Sequence, residues 1–164
     1  MSQEQQISSI SIPVIEKQIL IVEDEQVFAL AVQKKLVRAG FKCQIAGDLK
    51  TAAQKSDAIA PDLILLDMRL PDGSGLDFLA TLRHKQNSNA AVIVLSAYGE
   101  LEDAVTAMKL GASDYLKKPV DLDELLLKVE KVLDKSELTR KLTYSTKREQ
   151  HAVEGVQFLG ECAA

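Results

Sequence analysis

The sequence is short of the residues that mark several classes of protein. It contains two cysteines, Cys43 and Cys162, and two histidines, His84 and His151, all isolated from one another. These side chains therefore predict no structural disulfide, metal site or thiol chemistry. No apolar run approaches the roughly 20 residues of a membrane span, and the first residues lack the basic, then apolar order of a signal peptide. We expect a cytoplasmic chain.

An excess of basic residues is missing as well. The chain has 20 lysines and arginines against 24 aspartates and glutamates, a net charge of −4. Because phosphate backbones are bound by clustered Lys and Arg, this balance argues against a nucleic-acid surface. The sequence also lacks a Gly-x-x-x-x-Gly-Lys-Ser/Thr loop, and no helix-turn-helix is recognisable after Leu133. We expect these residues neither to hydrolyse ATP nor to read DNA.

What the sequence does contain is an alternation of short apolar runs with helical patterns. Strands are predicted near residues 18–22, 41–46, 63–67, 91–96 and 114–116. The helix after the first strand is predicted from the spacing of Val27, Leu30, Ala31, Val32, Leu36 and Val37. Alternation of this kind indicates an α/β fold: a doubly wound, five-stranded parallel sheet, (βα)5, with the flavodoxin-like strand order 2-1-3-4-5.

Acidic residues follow two of the predicted strands. Asp67 ends the buried run Leu63-Ile64-Leu65-Leu66, and Glu23-Asp24 follow the first strand. The predicted order makes strands one and three neighbours, so their ends should bring Glu23, Asp24 and Asp67 together. Three adjacent carboxylates stay ionised only with a cation among them, and ligation by oxygen alone suits Mg²⁺.

The neighbouring strands add a hydroxyl and an ammonium to the same crevice. Strand four ends in Ser96, and strand five runs into Lys118. This set fits phosphoryl transfer onto an aspartate, because a carboxylate needs no base and the cations neutralise the charge on the transferred group. Asp67 is the predicted nucleophile, with Ser96 and Lys118 as catalytic partners.

Several segments together resemble the receiver domains of two-component response regulators, the CheY-like superfamily. The likeness covers about residues 18–133 and rests on Glu23-Asp24, Leu65-Leu66-Asp67-Met68-Arg69-Leu70-Pro71-Asp72-Gly73-Ser74-Gly75, Leu95-Ser96-Ala97-Tyr98-Gly99, Gly111-Ala112-Ser113-Asp114-Tyr115-Leu116 and Lys118-Pro119. The resemblance implies that a histidine kinase phosphorylates Asp67. It also implies that Glu23, Asp24, Asp67 and the backbone carbonyl of Arg69 hold Mg²⁺, while Lys118 contacts the phosphate.

The same resemblance assigns a switch. Ser96 and Tyr115 match its hydroxyl and aromatic positions, and Pro119 matches a proline preceded by a cis bond. Phosphorylation is then expected to change the surface of helix four, predicted from Glu100 to Leu110, strand five and helix five, predicted to begin near Asp121. Many relatives have two aspartates where this chain has Glu23-Asp24, and the longer Glu23 side chain can reach a metal through a water.

The segments 97–99 and 103–112 are especially similar to the receivers of NtrC-type, sigma-54-dependent transcriptional activators. We expect a flexible leader at residues 1–17, the receiver at 18–134 and a helical extension with a linker or tail at 135–164. A coiled coil and a solvated helix both remain open for the extension. Expected partners are a sensor histidine kinase, a second copy of the chain bound through the switch surface or the last helix, and an ATPase or DNA-binding output domain absent from these residues.

Two other functions are weighed against the phospho-acceptor switch. A haloacid-dehalogenase-like phosphatase also joins Asp, Ser, Lys and Mg²⁺, but it requires an Asp-x-Asp motif on the first strand, whereas Asp67 lies on the third and is followed by Met68-Arg69. A degenerate receiver that acts only as a scaffold is disfavoured by the intact Asp67, Ser96 and Lys118. We expect no enzyme activity beyond the chain's own phosphorylation and dephosphorylation.

Overall fold

The computed structural model describes residues 16–85, 89–97, 101–136 and 138. Its central sheet contains β1 (Gln18–Val22), β2 (Lys42–Ala46), β3 (Leu63–Asp67), β4 (Ala91–Ser96) and β5 (Asp114–Lys117). All four pairings are parallel, and the strand order is β2-β1-β3-β4-β5. The predicted flavodoxin-like α/β fold is therefore confirmed.

Helices cover both faces of this sheet. They are α1 (Gln26–Arg38), α2 (Leu49–Ile59), α3 (Gly75–His84), α4 (Leu101–Lys109) and α5, described over residues 122–136. Successive residues of β3 face opposite ways: Leu63 and Leu65 pack with α1 and α5, whereas Ile64 and Leu66 pack with α2, α3 and α4. Burial on both sides explains why β3 reads as an unbroken apolar run.

Local signals in the sequence set the ends of two helices. Asp48 is the N-cap of α2, and its carboxylate accepts a hydrogen bond from the Thr51 amide at 2.7 Å. After α4, Gly111 has a φ of +98°, a conformation that glycine adopts without the steric cost of a Cβ. After β5, the Lys118-Pro119 bond is cis, as the resemblance implied.

The buried face of α1 is not the one that all of its apolar residues would indicate. Its buried side chains are Ala29, Val32 and Leu36, whereas Val27 and Leu30 are 79% and 57% exposed. The buried face includes Ala29, whose small side chain is a weaker hydrophobic signal in the sequence than the larger apolar residues that are exposed. The spacing identified the helix correctly, but part of its apolar set faces away from the sheet.

A short ribbon carries the chain from β3 to α3. Residues Arg69–Leu70 pair in antiparallel fashion with Gly73–Ser74. At its turn, the Asp72 carboxylate accepts hydrogen bonds from the backbone amides of Leu49 and Lys50, at 2.8 and 3.1 Å. The ribbon is thereby tied to the start of α2.

Several expectations fall outside the described residues. They include most of the leader predicted at 1–17, residues 98 and 99 of the segment similar to NtrC-type receivers, and residues 139–164 of the predicted tail. In the part of the chain that the structure describes, no helix is long and apolar enough to cross a membrane.

Gly75, the first residue of α3, lies directly against the end of β3. A Cβ added there would overlap the carbonyl oxygen of Asp67. We expect Gly75→Ala to lower the free energy of unfolding by about 1–3 kcal/mol, the usual cost of overpacking, because the new methyl group meets backbone. Urea denaturation followed by circular dichroism measures this loss.

Gly47→Ala is the matched control for this variant. It lies in the loop before α2, and nothing is within 4 Å of a Cβ placed on it. An equal loss of stability in the two variants would contradict the close approach of α3 to Asp67.

Candidate functional site

The acidic residues of the crevice come from two neighbouring strands. Asp67 is the last residue of β3, and Glu23 and Asp24 follow β1, which pairs with β3 through Val22 and Leu66. One carboxylate oxygen from each acid lies within 4.8 Å of the other two. The structure thus brings the carboxylates of Glu23 and Asp24 beside that of Asp67, which lies more than 40 positions later in the chain. This is the arrangement that the predicted strand order implied.

The acids differ in their exposure to water. Glu23 is 2% exposed and Asp67 6%, whereas Asp24 is open to solvent. Removing a carboxylate from water is costly unless a cation or hydrogen-bond donors compensate it. The two buried acids therefore need a partner.

Lys118 supplies that partner from the turn after β5. Its Nζ lies 3.1 Å from both carboxylate oxygens of Glu23 and 3.3 Å from Asp67 Oδ2. The backbone amide of Lys118 donates to the Ser96 carbonyl at 2.7 Å, which fixes the turn against the end of β4. Ser96 itself is 4% exposed. All three predicted catalytic residues thus meet at one edge of the sheet.

The ribbon contributes a backbone group to this edge. The Arg69 amide donates a long hydrogen bond of 3.3 Å to Asp67 Oδ1, whereas Lys118 contacts the other carboxylate oxygen, Oδ2. The Arg69 carbonyl, which the resemblance implies as a metal ligand, belongs to the same short segment. The segment beside Asp67 is therefore held by two contacts, one from the Arg69 amide to Asp67 and one from Asp72 to the start of α2.

Tyr115 lies on β5, apart from the carboxylates. It is 37% exposed, and its ring centroid is 6.0 Å from Lys128 Nζ on α5. An open recess of about 350 Å³ adjoins it, lined by Ala104, Val105, Met108, Lys109 and Tyr115. The predicted switch aromatic therefore faces the surface between α4 and α5.

Two contacts of Lys118 were not predicted from the sequence. One is its paired hydrogen bond to Glu23, because we assigned Glu23 to metal binding and Lys118 to the phosphate. The other is the ring of Phe28, whose centroid lies 5.3 Å from Lys118 Nζ. The position of Phe28 in the third place of α1 carries no signal for this contact, since it depends on how α1 and β5 meet in the fold.

Comparison with known proteins identifies this arrangement. Residues 19–130 match the family model described as the response regulator receiver domain. The chain belongs to this family. The receiver domain is a module of two-component signalling, so the family predicted from the sequence motifs is confirmed.

Curated relatives of this receiver domain are regulatory proteins. The acid tolerance regulatory protein ActR of Rhizobium meliloti is 38% identical over 68% of this chain, which spans 57% of ActR. The KDP operon transcriptional regulatory protein KdpE of Escherichia coli is 42% identical over 65% of this chain and 47% of KdpE. The chain thus spans about half the length of these relatives.

Solved structures give the same result. The signal receiver domain of a LuxO repressor protein from Vibrio parahaemolyticus matches with a TM-score of 0.73 and 28% identity, over 78% of this chain and 98% of that one. NtrX from Brucella abortus matches with a TM-score of 0.73 and 32% identity, over 79% of this chain and 29% of NtrX. The similarity to NtrC-type receivers is confirmed by the NtrX match.

The electrostatics of the receiver site centre on Glu23. Burial, together with the hydrogen bond and the charge of the adjacent Asp67, raises the pKa of Glu23 from its ordinary 4.5 to about 7, although Lys118 acts in the opposite direction. Burial also lowers the pKa of Lys118, but its hydrogen bond to Glu23 and the charge of Asp67 outweigh this effect and raise it overall. The ammonium stays charged, and the site carries more acid than Lys118 alone can balance.

The Glu23→Gln variant tests the raised pKa of Glu23 through the pH dependence of the free energy of unfolding. Between about pH 4.5 and 7 the folded chain retains a proton on Glu23 that the unfolded chain has lost. The stabilisation by protonated Glu23 is therefore complete below pH 4.5 and is lost as the pH rises through 7. We expect the metal-free wild type to lose more stability than Glu23→Gln between pH 5 and pH 8.

Urea denaturation of both proteins in a chelating buffer measures the difference. Titrating groups away from the site are common to the two proteins, so their contributions cancel in the comparison. Parallel curves of stability against pH would show that Glu23 titrates in its ordinary range, contrary to this prediction.

Proposed function

We propose that this receiver domain is a phospho-acceptor switch in which Asp67 takes a phosphoryl group from a sensor histidine kinase in a Mg²⁺-dependent reaction. The observation that carries the proposal is the position of Asp67. Its carboxylate ends a buried strand, faces the Lys118 ammonium at 3.3 Å and lies within 4.8 Å of two further acids. An aspartate with a purely structural role needs a single cation or hydrogen-bond donor. Asp67 instead lies at the edge of the sheet where the acids, Ser96 and Lys118 meet, and these are the groups that phosphoryl transfer uses.

The residues present fit a magnesium ion. The donors are carboxylates, with no histidine or thiol among them, which suits a hard cation that binds through oxygen. Three acids facing one ammonium also leave negative charge for a cation to balance. Glu23, Asp24, Asp67 and the Arg69 carbonyl would hold it. When bound, Mg²⁺ neutralises charge on the oxygens of the transferring group.

The side chains of the chain itself account for the transfer. An Asp67 carboxylate oxygen attacks the phosphorus, a phosphorus–oxygen bond forms, and the bond from phosphorus to the kinase imidazole nitrogen breaks with its electron pair remaining on nitrogen. Asp67 needs no general base, because it reacts as a carboxylate. Lys118 balances charge on the phosphoryl oxygens, and the Ser96 hydroxyl donates a hydrogen bond to one of them. The chain acts on no separate substrate in this reaction.

The proposed signal leaves the site through Ser96 and Tyr115. The phosphoryl group adds about −1.5 to −2 charges beside Lys118 and draws in the Ser96 hydroxyl. Tyr115, now 37% exposed, then turns inward and reshapes the surface of α4, β5 and α5. A second copy of the chain or an output domain reads this surface. Because KdpE is a transcriptional regulatory protein of which the matched region is about half, we propose a transcriptional output.

Phosphorylation is tested by intact mass after incubation with acetyl phosphate. We expect a single phosphoryl adduct on the wild type with Mg²⁺, and none on Asp67→Asn or in the presence of a chelator, because the nucleophile or the charge balance is then missing. Asp62→Asn is the matched control: Asp62 also accepts a backbone hydrogen bond, from Gln18, but lies before β3 at the opposite end of the sheet. An unmodified wild type would contradict the proposal and indicate an unphosphorylated scaffold.

The role of Tyr115 is tested by association. Size-exclusion chromatography with and without beryllium fluoride, a mimic of the phosphoryl group, compares wild type with Tyr115→Ala. We expect the mimic to shift only the wild type to an earlier elution volume, while both proteins form the acetyl phosphate adduct. If Tyr115 is merely a packed aromatic, Tyr115→Ala loses stability but associates as the wild type does. An unchanged elution volume of the wild type would count against dimerisation as the output.

A further inference from the structure

Lys118 has an aromatic neighbour in addition to its two carboxylates. The Phe28 ring lies with its centroid 5.3 Å from Lys118 Nζ, within the range of a cation–π interaction. Phe28 is partly buried near the start of α1 and packs against the hydrophobic cluster shared by α1, α5 and the sheet. The ring is therefore anchored by the core while its face is available to the ammonium.

The contacts of Lys118 leave its ammonium only partly enclosed. Glu23 and Asp67 accept its hydrogen bonds, and the side chain remains 23% exposed. A flexible four-carbon stem can swing such a charge into water. A ring over one side of the ammonium excludes water there and attracts the charge to its negative face.

The environment of Phe28 favours this role over simple filling of the core. Val27, the residue before it, is 79% exposed, whereas Ala29, the residue after it, is fully buried, so Phe28 lies at the rim of the core, between the exposed and the buried faces of α1. A phenylalanine at the rim gains less from burial than one at the centre. Its contact with the charged residue of the site gives a reason for an aromatic side chain at this position.

We propose that Phe28 is a positioning residue that holds the Lys118 ammonium at Asp67 for capture of the phosphoryl group. This inference rests on the proposed function and deepens it. During transfer, Lys118 moves from the Asp67 carboxylate to a phosphoryl oxygen bound to the same residue. The ring limits that movement to the crevice, whereas without it the ammonium can turn to solvent or pair with Glu23 alone.

The experiment compares rates of phosphorylation by acetyl phosphate with Mg²⁺ for variants at position 28. Phe28→Leu keeps an apolar side chain and removes the ring. Fluorinated phenylalanines keep the ring shape and progressively remove the negative charge on its face. We expect Phe28→Leu and pentafluorophenylalanine to react about three- to tenfold more slowly, the range that a partly desolvated cation–π contact supplies, with monofluorophenylalanine in between.

Phe41→Leu is the matched control. Phe41 is also partly buried and packs against the same cluster, but it lies beyond the far end of α1, before β2. We expect its rate to stay within about twofold of wild type, since no cation of the site depends on it. Thermal unfolding verifies that each variant is folded. A structural role alone predicts equal effects of the two leucine variants and no dependence on fluorination.

A second measurement does not require phosphorylation. A double-mutant cycle of Phe28→Leu and Lys118→Met in urea unfolding isolates the coupling between the two side chains. We expect a coupling equivalent to about two- to tenfold in the unfolding constant. Zero coupling, or equal phosphorylation rates across the position-28 series, would overturn the role of Phe28 while leaving the proposed function intact. A wild type without an adduct would overturn both.

Discussion

The contact between Lys118 and two buried carboxylates is the interaction on which the site depends. Lys118 lies 95 positions after Glu23 and 51 positions after Asp67 in the chain. The contact exists only because β1, β3, β4 and β5 end at the same edge of one sheet. Without the ammonium, Glu23 and Asp67 would be buried acids with no compensating charge, a costly arrangement. With it, both acids are held beside Asp24, which is exposed to solvent. The strand order thus brings together the side chains on which the proposed chemistry depends.

The balance of charge makes this edge receptive to both a cation and a phosphoryl group. Three carboxylates lie beside one ammonium, so Lys118 alone does not neutralise the cluster. A divalent cation would relieve the surplus and keep all three acids ionised, which leaves Asp67 as an available nucleophile. Lys118 can then turn from balancing carboxylates to balancing phosphate, while Phe28 and the ribbon tied by Asp72 keep the surrounding groups in place.

The sequence was sufficient to predict the architecture and the meeting of Glu23, Asp24 and Asp67 at one edge of the sheet, because the buried strands and the residues at their ends give local signals. Continuous apolar runs identified the buried strands, and acids at the ends of two neighbouring strands indicated where a ligand site forms. The exposed face of α1 was not predictable in this way, since Ala29 contributes less to the pattern than exposed Val27 or Leu30. The pairing of Glu23 with Lys118 and the ring of Phe28 depend on side-chain packing between distant elements, which spacing does not encode.

The most direct test of Asp67 as a phospho-acceptor is a crystal structure of the chain with Mg²⁺ and beryllium fluoride. We expect the fluoride complex on an Asp67 carboxylate oxygen, in contact with Lys118 Nζ and the Ser96 hydroxyl, and the metal among Glu23, Asp24, Asp67 and the Arg69 carbonyl. Beryllium fluoride at any other residue, or an Asp67 carboxylate still paired with Lys118 under saturating Mg²⁺ and fluoride, would contradict this assignment.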